Sequence, residues 1–134
     1  MKLSKLKTNS DSERNGVWVN YNHEVSFLLA RMHNPNYNKK VEMLSTPYKH
    51  QIRTNSVSDE VWLELSRKAF AETILLDWKG IEDDDGPIKS TLENKMAILE
   101  DEELHDLVEW LHNQASNSEI YREQEKDIEH AKKS

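Results

Sequence analysis

The chain has 134 residues, of which 36% are apolar and 32% charged, with a formal net charge of -7 and no cysteine. That length predicts one domain, and the low apolar fraction leaves only part of the chain to build a core. The missing thiol excludes disulfides, thiolate metal sites and cysteine nucleophiles, as suits a cytosolic protein. The excess acid sits in one half. Residues 1–81 carry 12 basic against 9 acidic residues, and residues 82–134 carry 6 against 16. A surface of that sign repels nucleic-acid phosphates and keeps a protein dispersed, or meets a basic partner.

In chain order, residues 1–14 are polar and lysine-bearing with no interleaved aromatics, which predicts a disordered N-terminal arm. The start has no apolar signal segment, and no run approaches the roughly 18 apolar residues of a membrane span. GVWVNY (16–21) and VSFLLAR (25–31) are rich in β-branched and aromatic residues and are joined by Asn22-His23-Glu24, which predicts a β-hairpin with one strongly apolar face per strand. A lone hairpin is marginal in water, so that face is expected to pack on helices.

Asn34-Pro35 reads as an N-cap followed by proline in the first turn, opening a helix with Tyr37, Val41, Leu44 and Tyr48 as its stripe and Pro47 as its end or kink. Ser58 to Gly80 has the clearest helical logic in the chain. Ser58 caps it, and Asp59 and Glu60 meet the positive end of its dipole. Trp62, Leu65, Ala69 and Leu76 form one ridge and Phe70, Ile74 and Trp78 another, with Gly80 as the left-handed terminator. This helix is expected to be the central post of the domain.

IEDDDGPIKS predicts a turn; placing Gly86 at the sixth position of a calcium loop puts Ile81 and Leu92 where acids are required, which excludes an EF-hand. Ser90 or Thr91 caps a short helix with Leu92, Met96 and Leu99, and Asp101 opens another with Leu104, Leu107, Val108, Leu111 and Ala115 buried. Residues 117–134 carry a thin stripe of Ile120, Tyr121, Ile128 and Ala131, which predicts a C-terminal helix that is weakly docked or ordered by a partner, and removable without unfolding the domain. The fold class is therefore mostly α (α+β): an N-terminal β-hairpin on a small bundle of about five helices around a central helix, with residues 15–116 as the domain proper.

No catalytic constellation emerges, so no enzyme is expected, and no cofactor. With three glycines there is no phosphate-binding loop. His105, Glu109 and His112 recur at helical spacing, but on the rim of an acidic amphipathic helix they read as solvent-exposed side chains rather than metal ligands.

Two patches carry a resemblance. The first is Gly16-Val17-Trp18, an apolar strand ending Ala30-Arg31, then Asn34-Pro35-x-Tyr37; the second is Leu75-Leu76-Asp77-Trp78-x-Gly80, an acidic turn closing at Gly86-Pro87, then Ser90 and Glu93-Asn94. In this order, over residues 16–112, they resemble a tail assembly chaperone of long-tailed, siphovirus-type bacteriophages, with His33 and Lys89 as departures. The resemblance implies a protein that binds the tape measure protein, keeps it soluble and recruits tail tube protein in the host cell cytoplasm, and that is absent from the mature virion. It also implies self-association and a longer form made by programmed frameshifting, with which the terminal Lys132-Lys133 pair is compatible. The motif residues Trp18, Arg31, Tyr37 and Trp78 are the candidate partner-binding positions, Tyr37 and Trp78 doubling as core and Arg31 as a structural hydrogen-bonder. No nucleic-acid or membrane partner is expected. A second reading is an acidic interaction module, either a nucleic-acid mimic or an inhibitor of a basic protein.

Overall fold

The computed structural model describes residues 1–122. Ile128, Ala131 and the Lys132-Lys133 pair lie outside the described residues. The architecture is mostly helical α+β. Helix α1 (Ser10–Asn15) leads into strands β1 (Val17–Asn20) and β2 (Ser26–Leu29). Helices α2 (Pro35–Ser45), α3 (Lys49–Arg53) and α4 (Asp59–Thr73) follow, then strand β3 (Leu75–Lys79). A small hairpin, β4 (Glu82–Asp83) with β5 (Gly86–Pro87), precedes helices α5 (Leu92–Glu100) and α6 (His105–Ala115) and a 3-10 turn over Ser118–Tyr121.

The predicted hairpin forms as read. Val17 pairs with Leu29 and Asn20 with Ser26, and the Asn22 side chain closes the turn by accepting from the Glu24 and Val25 amides. Phe27 and Leu29 are fully buried, while Trp18 and Asn20 face outward. Asn34 caps α2 as expected, its carboxamide oxygen accepting from the Asn36 and Tyr37 amides. Helix α2 ends at Ser45, just ahead of Pro47, as expected. Pro47 itself sits in a 3-10 turn, Thr46–Tyr48, which passes the chain on into α3.

The central helix is shorter than the periodicity implied. α4 ends at Thr73 with Ile74 as its C-cap, and LLDWK becomes the third strand of an antiparallel sheet ordered β1-β2-β3. The lone hairpin gains the partner it needs, and the pairing overrides helical propensity. The misreading has a specific cause. The register shifts between Leu28 and Leu29, and that irregularity lets Leu75 and Trp78, three residues apart, both turn inward. The strand therefore carries a helical burial spacing. Gly80 does take a positive φ of 88°, but it ends a strand rather than a helix.

The core lies between this sheet and the helices. Phe27, Leu29, Phe70, Ile74, Leu75, Trp78, Leu99 and Leu111 form one buried cluster. β2 packs on α6, and α4 is flanked by α2 and α5. On the sheet's aromatic flank Trp110 sits 5.0 Å from Tyr21 and 6.0 Å from Phe27.

Two stretches among the described residues differ from expectation. Residues 8–15 are not a disordered arm: Asn9 caps α1 through the Ser12 amide, and Glu13 takes a hydrogen bond from Thr8 and, at 3.1 Å, from the Arg31 guanidinium. Nor is the last described turn weakly docked. Tyr121 is completely buried, its hydroxyl donates to the Leu29 carbonyl at 3.1 Å, and its own carbonyl accepts from the Asn9 amide. A thin apolar stripe understated this contact, because it does not reveal that Tyr121 buries its whole ring and satisfies its hydroxyl.

Candidate functional site

The four motif residues do not converge. Trp78 is 6% exposed, and its indole N–H donates to the Ile88 carbonyl at 2.8 Å, tying β3 to the segment after β5. Tyr37 is buried on α2 with the His33 ring edge-on at 5.6 Å. Arg31 donates to Glu13 and holds α1 against the end of β2. Arg31 stays partly exposed, and Trp18 presents the most surface, at 38% exposure, with the Lys79 ammonium 4.0 Å from its ring centroid.

Behind β3 lies a polar cluster with a structural part. Asp77 accepts from the Ser90 hydroxyl at 2.6 Å and from the Trp78 amide at 2.8 Å. These two bonds, in that order of weight, hold its carboxyl below the usual carboxylate range. The second occupies an amide of the outermost strand of the sheet and so blunts that edge. Lys95 is nearly buried close by; burial lowers its ammonium pKa, opposed by the charges of Asp77 and Glu72. Ser90→Ala removes the largest cause of the Asp77 shift, so the carboxyl pKa is expected to rise toward the ordinary aspartate range in a carbon-13 NMR titration. The stabilisation from a depressed carboxylate is present above the unfolded value and is lost as pH falls through the folded value. Solvent screens this carboxylate, so wild type should exceed the variant by only about 0.5–1 kcal/mol at neutral pH, and the two should converge in acid.

A concave surface with a core-like floor lies elsewhere, between α4, the end of α5 and α6. It is a groove of about 390 Å³ lined by Leu63, Phe70, Leu99 and Val108 as its apolar part and by Ser66, Arg67, Glu100, Asp101, Glu102, His105 and His112 as its polar part. The floor is core-like, since Phe70 and Leu99 are buried, but Leu63 at its margin is 50% exposed. The acids come from the α5–α6 junction. Asp101 caps the turn Glu102–Leu104 by accepting from the Glu103 amide, which fans Glu100, Asp101 and Glu102 outward into solvent. Among the described residues none of these three has a basic partner. Each helix terminus was legible, but not that the loop between α5 and α6 and the middle of α4 would meet. The one signal for Leu63 was an apolar residue beside Trp62 at a position the helix ridges do not use.

The histidines separate. The His112 ring lies 4.3 Å from Phe70 against the groove; the residue stays exposed, but partial desolvation of its ring lowers its pKa. His105 reaches Glu109 at 3.7 Å, and with Asp106 they form an exposed group on the first turns of α6. The acidic turn before α5 is the β4–β5 hairpin, where Asp83 accepts from the Asp85 amide. No helix among the described residues is long and apolar enough to cross a membrane.

The YdaY prophage protein family model matches residues 32–133, which takes in α2 through α6, β3 and the whole groove but not the β1–β2 hairpin. No curated protein and no solved structure matches the chain. With most of its length matched, the chain belongs to the YdaY prophage protein family and is phage-derived.

Proposed function

We propose that this phage-derived protein is a tail assembly chaperone. In this reading it is not an enzyme. It binds the tape measure protein in the host cytoplasm, keeps it soluble, helps recruit tail tube protein, associates with itself or with a frameshift-extended form, and leaves before the virion is complete. The observation that carries the reading is the open groove, which joins exposed apolar surface to acids that have no basic partner among the described residues. A holdase for a long, aggregation-prone chain needs both. Apolar surface gives affinity, and net negative charge gives repulsion between complexes. The ordered sequence motifs and the prophage family give the phage context.

The test is a comparison of induced lysate with purified particles by immunoblot and mass spectrometry. The protein is expected in lysate complexes with the tape measure protein and absent from particles. A stoichiometric signal in particles would instead make it a structural connector. Capture of a basic DNA-binding protein in place of the tape measure would favour the acidic-mimic reading.

A further inference from the structure

We propose that the groove between α4 and α6 is the docking site for a basic amphipathic helix of a partner chain. The assignment rests on the reading of the protein as a protein-binding assembly factor and names the chemistry of what it grips.

Shape gives the first half of the argument. The groove is walled by α4 on one side and α6 on the other, with the α5–α6 junction between them, and its floor is apolar. A trough between two helices that exposes Leu63 over buried Phe70 and Leu99 fits the apolar stripe of a third helix, whose side chains at i, i+3 or i+4, and i+7 enter in a row. An extended strand would need a free sheet edge to satisfy its backbone, and the groove walls are helical.

Charge gives the second half. Glu100, Asp101 and Glu102 are exposed along the groove without basic partners among the described residues, while Arg67 is the single lysine or arginine in its lining. Flanking lysines or arginines on the incoming helix complete these carboxylates, and an acidic helix is repelled by them. The surplus of acid across residues 82–134 steers the same class of partner at longer range.

The experiment titrates the full chain by calorimetry with two designed helices, LKKLLKLLKKLLKL and its acidic counterpart LEELLELLEELLEL. Two variants accompany wild type. Leu63→Asn removes the exposed apolar contact. The combined Glu100→Gln, Asp101→Asn, Glu102→Gln change removes charge while keeping shape and the Asp101 cap. All the altered side chains are exposed, so both variants should retain the wild-type circular dichroism and unfolding midpoint. The lysine peptide is expected to bind and the glutamate peptide not to, with affinity for the lysine peptide falling about tenfold in each variant. Equal binding of the two peptides, or a lysine peptide indifferent to both variants, overturns the assignment. Tape measure solubility is scored separately. Leu63-dependent peptide binding beside a tape measure that stays insoluble supports the groove and sinks the chaperone reading. A solubilised tape measure without any peptide effect does the reverse.

Discussion

Tyr121→Ala is expected to destabilise the fold by about 3–5 kcal/mol, the range for truncating a buried aromatic. Tyr121 is the largest completely buried side chain, and it closes the space between the end of β2 and the N-terminal turn. The change opens a cavity and leaves the Leu29 carbonyl without its hydroxyl donor. Tyr121→Phe separates the two effects, since it keeps the ring and should cost only about 1–2 kcal/mol for the lost hydrogen bond. Burial also raises the phenol pKa, so the hydroxyl remains a donor through mild alkali. Denaturant unfolding of the three proteins reads both differences. Truncation after Asn117 should match or exceed the alanine variant; a truncated protein as stable as wild type would show that Tyr121 contributes nothing to the core.

Gly80→Ala is the second large effect, at about 3 kcal/mol, from a left-handed backbone cost and a steric one together. Gly80 has φ of 88°, and a Cβ there would lie 1.8 Å from the Glu24 carbonyl oxygen. That oxygen belongs to the hairpin turn, whose position is fixed by the Asn22 side chain, so neither partner yields easily. Gly86 supplies the control. Its φ is 119°, but a Cβ there would meet nothing within 4 Å, so Gly86→Ala should cost only about 1 kcal/mol. Equal losses at the two positions would mean that the approach of β3 to the hairpin turn is not what demands glycine.

Local signals transferred well from sequence to structure. The Asn34-Pro35 start, the Ser58 cap, the Asn22 turn and the apolar stripe of α6 all depend on neighbours within a few residues, and each sits where propensity puts it. The failures share a different origin. LLDWK belongs to the sheet because β2 offers a partner more than forty residues earlier, and the irregular pairing at Leu28/Leu29 disguises the strand with a helical spacing. The N-terminal turn is ordered by Arg31 and by the Tyr121 carbonyl, neither of which is visible from the polar composition of residues 1–14. The groove was illegible for the same reason. Leu63 and the Glu100–Glu102 acids look like ordinary surface until α4 and the α5–α6 junction are brought together. Of the motif residues, Tyr37 and Trp78 are buried in the fold, the partly exposed Arg31 is engaged with Glu13, and Trp18 is the most open to a partner.

The central claim is that the groove makes this protein a holder of other chains. Its most direct test is co-expression with the neighbouring tape measure protein, measuring the fraction of tape measure in the supernatant with no chaperone, with wild type and with Leu63→Asn. The account predicts that wild type carries the tape measure into the soluble fraction and co-purifies with it, and that Leu63→Asn, equally folded, loses most of that effect. A tape measure that stays insoluble with wild type and with its extended form, or that is rescued as well by Leu63→Asn, would contradict it.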